Sequence, residues 1–113
     1  MLMNEDRLIL VYTTFASLEQ AREMGNILVR ERLAACVNIF PGMISIYEWQ
    51  EALEECPETA MIIKTRSTRL DAAMSRAREL HPYETPALLV LPVDSVNSDY
   101  MHWITQQTSN SGN

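Results

Sequence analysis

Residues 33–49 read LAACVNIFPGMISIYEW, and this stretch decides the fold. Residues 36–40 (Cys-Val-Asn-Ile-Phe) form a short apolar run with the β-branched content of a strand. Pro41-Gly42 interrupts it with a residue that cannot donate to a ladder and one that accepts unusual backbone angles, the signature of a turn or bulge. Alternation resumes over 43–49: Met43, Ser45, Tyr47 and Trp49 point one way, Ile44, Ile46 and Glu48 the other. Both sides are largely apolar. An acidic connector at 51–58 separates this stretch from a second apolar strand at 59–65, so the two form a long hairpin.

Upstream, residues 7–14 read as a buried strand, too short for a helix. Ser17 offers an N-cap oxygen, with Gln20 three residues later in capping-box spacing. The helix that follows carries Leu18, Ala21, Met24, Ile27 and Leu28 on one face and Glu19, Arg22, Glu23 and Arg30 on the other. Downstream, Thr68 is placed to cap a second helix with Asp71 three residues on. Its apolar stripe is Leu70, Ala73, Met74, Ala77 and Leu80. That helix stops near His81, because Pro82 lacks a backbone donor and restricts the residue before it. Residues 87–93 make a last strand, 94–99 a turn and 100–107 a short terminal helix. The ordered core is expected at 7–107, with a frayed polar tail at 108–113. The order β-α-β-β-α-β plus a helix is the α+β ferredoxin-like plan: one domain over 1–113, an antiparallel sheet, and both main helices on one face.

The 113-residue chain is 47% hydrophobic and 21% charged, values of an ordinary folded domain. Its formal net charge is −6, and Lys64 is its single lysine. This balance supplies no basic surface for nucleic acid and disfavours an anionic membrane. Apolar runs fall far short of the roughly 20 residues of a membrane span. The acidic start lacks the basic segment of a signal peptide. Cys36 and Cys56 have no metal-motif spacing and define no disulfide framework, so a reducing cytoplasmic setting is expected.

Three strings carry a family resemblance: LAACVNIFPGMISIYEW, then IIKT at 62–65, then HPYETP at 81–86, the last followed by a strand and YMHW at 100–103. In this order and spacing the chain resembles the CutA (divalent-cation tolerance) family from about residue 10 to 104. The resemblance implies a ferredoxin-like subunit whose hairpin reaches around a three-fold axis. It also implies a homotrimer with a role in tolerance of divalent metals, especially copper, and no established catalytic reaction. The hairpin points the same way on its own: Ile44, Ile46, Tyr47 and Trp49 on a lone arm invite association, and a closed assembly pairs edges and buries both faces. The alternative is an arm covered by the chain's own helices and terminal segment.

His81 is the candidate metal ligand, a neutral imidazole able to bind copper or another divalent cation. Its alternative role is to cap the carbonyls at the end of the second helix. In the family the matching histidine is assigned to a metal site with a cysteine on the first strand and a glutamate after the second proline of the HPY string. Here those partner positions hold Thr13 and Ala87, which removes a soft thiolate and a carboxylate. Glu51 stands where relatives carry glycine, a sign of positive φ or of close backbone approach, and its alternative role is to reshape the end of the hairpin. Trp49, Lys64, Tyr83 and Glu84 are candidates for an inter-subunit cleft taking an anionic ligand. For Lys64 the alternative is an ion pair with Glu48, Glu84 or another carboxylate, and for Trp49 an interface anchor.

Two other functional classes share the plan. A PII-like trimeric small-ligand sensor needs a phosphate cradle, and three glycines with one lysine do not build one. An acylphosphatase-type hydrolase needs an arginine-bearing loop after the first strand, where this chain has Thr-Thr-Phe-Ala-Ser at 13–17. No catalytic grouping is evident at the level of motifs.

Overall fold

A computed structural model describes residues 6–109. Its elements are β1 (Leu8–Phe15), α1 (Leu18–Arg30), β2 (Cys36–Trp49), β3 (Ala52–Arg66), α2 (Ser67–Leu80), β4 (Leu89–Pro92) and α3 (Ser98–Gln107). The four strands make one antiparallel sheet in the order β2-β3-β1-β4, the expected ferredoxin-like plan.

Alternation along β1 places Val11, Thr13 and Phe15 on the face that packs against the helices, where Met61 and Ile63 of β3 join them. Ala21, Met24 and Leu28 of α1 and Ala77 of α2 close this core. Gly25 is required where α1 crosses β2, since a Cβ there would sit 2.7 Å from Val37 Cγ2. A second cluster of Leu8, Ala35 and Ile104 anchors α3.

Ser17 caps α1 as expected, its Oγ accepting from the Gln20 N–H at 3.2 Å. The reciprocal half of the box is not made, because Gln20 Oε1 is buried without a partner. The second helix departs from expectation. It begins at Ser67, one residue before the proposed cap, and its N-cap residue Arg66 makes no side-chain capping bond. Asp6 fills the role from outside the helix: its carboxylate accepts from the Thr68 N–H and hydroxyl and pairs with Arg66. A carboxylate at a helix N-terminus also complements the positive end of the helix dipole.

The acidic connector is itself strand, another correction. Glu54 pairs with Tyr47, Glu55 with Ile46, Pro57 with Ile44 and Glu58 with Met43, leaving only Gln50 and Glu51 as the turn. Proline is tolerated at 57 because β1 pairing begins only at Thr59, so the arm beyond it is two-stranded with free edges. The expected irregularity at Pro41-Gly42 is a register shift between Phe40 and Met43, with Gly42 at φ 82°. Gln50 and Glu51 both take positive φ, 51° and 68°, the twist that a tight hairpin turn demands. The arm carries the long axis to 52 Å. The last strand is shorter than 87–93, and α3 starts two residues earlier than expected. Thr108 is not frayed: it is fully buried and its hydroxyl accepts from Arg66 Nε. Residues 110–113 of the proposed tail lie outside the described residues.

Neither the helices nor α3 cover the arm. Ile44 is 56% exposed, Ile46 and Trp49 61%, and Leu53 77%. An apolar arm with both sides open is the main unmet demand of the fold.

Candidate functional site

Pro82 ends α2 at Leu80, and the His81 N–H closes the last turn on the Ala77 carbonyl. Its side chain does not cap α2; it turns onto the end of β1. The imidazole stacks on Phe15 with centroids 4.6 Å apart and planes 7° off parallel. Nδ1 accepts from the Tyr83 N–H at 3.1 Å, so the ring proton is assigned to Nε2, which donates to the Thr14 carbonyl at 2.9 Å. Thr13 Oγ1 lies 3.1 Å from the same nitrogen. Only 7% of His81 is exposed. Burial lowers its pKa, opposed by the bond to the Thr14 carbonyl.

Tyr83 continues the chain of contacts. Its ring centroid is 4.9 Å from that of His81, and its hydroxyl donates to Glu58 Oε2 at 3.0 Å. Ser45 Oγ donates to the other carboxylate oxygen at 2.6 Å. Burial, then the bond to and charge of Glu58, push the Tyr83 hydroxyl up to about 12. The turn after α2 is thus tied through Glu58 to the base of the arm, beside the bulge. Glu58 and Ser45 escaped the sequence reading because Glu58 closes an acidic run that resembles a solvated connector. Its pairing with Met43 is what brings it to the site.

The other candidates stand apart within one chain. Lys64 donates to the Tyr100 hydroxyl at 3.2 Å and lies over that ring, 5.5 Å from its centroid. It forms no ion pair with Glu48 or Glu84 among the described residues. Tyr100 stacks on Trp103. Trp49 pairs with Ala52 at the far end of the arm, ~40 Å along β3 from Lys64 at about 3.3 Å per residue. Glu84 and Ala87 are exposed. Trp49, Lys64 and Tyr83 therefore share a cleft only if more than one chain builds it.

The donor set does not fit a metal site within one chain. Among the described residues no group of three or more His, Cys, Asp or Glu side chains is placed to hold an ion. Both nitrogens of His81 are hydrogen-bonded, and its neighbours are a hydroxyl, a carbonyl and a phenyl ring. Cys36 and Cys56 are free thiols on opposite stretches of the hairpin. His102 is exposed on α3. Nor is the Thr13–His81 contact a nucleophile–base pair, because the nitrogen facing Thr13 already carries the proton.

Comparison with known proteins bears on this geometry. A family model described as CutA1 divalent ion tolerance protein matches residues 9–107. Protein CutA of Mus musculus is 41% identical over 104 residues, covering 89% of this chain and 59% of the mouse protein. The divalent-cation tolerance protein CutA of Pyrococcus horikoshii is 40% identical over 101 residues, covering 89% of this chain and 98% of that one. The chain thus spans little over half of the mouse relative and nearly all of the archaeal one. The crystal structure of divalent ion tolerance protein CutA1 from Ehrlichia chaffeensis superposes with a TM-score of 0.91 at 31% identity, covering 95% of this chain and 100% of that one.

Proposed function

The chain belongs to the CutA1 divalent ion tolerance family, and on that premise we propose that it works as a homotrimeric, non-enzymatic metal-response protein of the cytoplasm. The observation that carries the assembly is the arm. Ile44 and Ile46 on one side and Tyr47 and Trp49 on the other are open to water. Burying apolar side chains of this size contributes roughly 1.5–3 kcal/mol each, and a closed ring covers both sides in every copy. Two free cysteines suit a reducing compartment, and no helix among the described residues is long and apolar enough to cross a membrane.

Divalent cations, copper first, are the ligands of this reading. Copper heads the affinity order for nitrogen and oxygen donors. With Thr13 and Ala87 at the partner positions, binding through His81 is weak: the imidazole must give up the Tyr83 or Thr14 bond and recruit carboxylate or backbone oxygens. A second reading, a PII-like sensor of an anionic ligand, is favoured by one observation. The half-buried Lys64 ammonium has no carboxylate partner among the described residues. Trp49, Lys64, Tyr83 and Glu84 would then meet at a cleft between copies.

The test pairs sedimentation with calorimetry. Ile44→Lys with Ile46→Lys should give a folded monomer by circular dichroism, and untagged wild type should bind copper more tightly than zinc or nickel. A double variant that assembles unchanged removes the arm from the interface, and a protein indifferent to all three ions removes the metal.

A further inference from the structure

We infer that the chain carries a small-molecule site between its two main helices, fitted to a compact organic cation with an ammonium head on an apolar body. Every lining residue belongs to one chain, so the inference stands apart from the homotrimer and metal readings above. Residues 20, 23, 24 and 27 recur at helical spacing, which puts Gln20, Glu23, Met24 and Ile27 on one stripe of α1. Pro82 ends α2 at Leu80, so no further turn of that helix covers the stripe. Leu80 and Pro82 instead form the far wall of a cavity of about 150 Å³. An aliphatic-walled cavity of about this volume holds a benzene-sized molecule.

The polar groups of the lining select the head of the ligand. Gln20 Oε1 is buried and accepts no hydrogen bond among the described residues, an unsatisfied acceptor that costs the fold stability. Turning that amide toward a donor in the cavity breaks no existing bond. Glu23 is exposed and forms no ion pair among the described residues. Its carboxylate therefore meets the ligand on the solvent side, where an ammonium keeps part of its hydration. No cationic residue lines the cavity. An acceptor and a carboxylate above apolar walls call for a ligand that donates hydrogen bonds and carries positive charge. The net charge of −6 draws such ligands toward the protein. A mere gap in helix packing, walled by Met24, Ile27, Leu80 and Pro82 alone, would show no preference for charge.

Benzylamine is the probe, its ring sized for the cavity and its ammonium for Gln20 and Glu23. Titrated into the wild-type protein, it should give saturable NMR shifts at the amides of 20–27 and 80–83. The dissociation constant should be about 1 mM, the scale that so few heavy atoms allow. Benzyl alcohol has the same shape without the charge and should bind about tenfold more weakly, because charge-assisted bonds are the stronger. Glu23→Gln, an exposed change that spares the core, should weaken benzylamine about tenfold and leave benzyl alcohol unchanged. Ile27→Phe should fill the cavity and abolish binding of both, in a protein shown to be folded by circular dichroism. No saturable shift in the wild type overturns the site and leaves a packing gap. Equal affinity for amine and alcohol, or for wild type and Glu23→Gln, overturns the cationic ligand. Binding that survives Ile27→Phe places benzylamine elsewhere and overturns the cavity as its site.

Discussion

The imidazole Nε2 of His81 lies 3.1 Å from the hydroxyl of Thr13, joining the end of α2 to the end of β1 at the position where the family resemblance expects a cysteine. A hydroxyl and a carbonyl make a poor set for a soft or borderline metal. Thr13→Cys with Ala87→Glu should therefore tighten copper binding by at least about tenfold over wild type in a calorimetric titration, roughly 1.4 kcal/mol. Adding His81→Ala to that pair should abolish the gain. Equal affinity in wild type and double variant would mean that copper binds elsewhere.

The same histidine makes stability depend on pH. Burial holds its folded pKa below the ordinary value of about 6.5, so the unfolded chain takes up a proton more readily than the native one. The stability contributed by neutral His81 is full above about pH 6.5 and is lost as pH falls through the lower folded value. A proton on Nδ1 would also face the Tyr83 N–H. Urea midpoints should fall between about pH 7.5 and 5 in wild type and change less in His81→Gln. A wild-type midpoint constant across that window contradicts the assignment.

Glu51 holds φ at 68° at the tip of the arm. The left-handed region costs a non-glycine residue about 1–2 kcal/mol, and glycine loses more entropy on folding. Glu51→Gly should therefore raise stability by roughly 0.5–1 kcal/mol in denaturant unfolding. A loss of similar size would show that Glu51 makes a contact the strain conceals.

Asp6 holds β1 and α2 together through Arg66 and Thr68. Its carboxyl lies below the usual range: burial works against this, and the bonds from Arg66 and Thr68 outweigh it. Asp6→Ala should cost about 1–2 kcal/mol, the value of a lost helix cap. A thermal midpoint unchanged from wild type would reduce Asp6 to a surface ion.

Much of the fold was legible because each element announces itself locally: Pro82 stopping α2, Ser17 opening α1, and Pro41-Gly42 marking the bulge, while glycine's place at Glu51 left positive φ and close backbone approach both open until the structure chose the first. The residues misread were those whose state depends on distant partners. The acidic run becomes strand only because Ile44, Ile46 and Tyr47 lie opposite it, and Thr68 yields the cap to Asp6, 62 residues away. Thr108 looks like tail until Arg66 reaches it. The HPY turn drew attention through its motif, but its partner Glu58 was hidden by composition. Lys64, inside the sheet, and Trp49, at the tip of the arm, were grouped from sequence but lie at opposite ends of one hairpin, and only assembly can bring such residues together.

Assembly is the central claim, and the mass of the protein in solution tests it most directly. Light scattering over a dilution series should give about three times 12.9 kDa at every concentration, because an apolar arm open on both sides makes an obligate interface. Trp49→Ala, at the tip of that arm, should weaken the trimer by about 2 kcal/mol, seen as faster subunit exchange. A well-folded species of 12.9 kDa throughout the wild-type series would contradict the account.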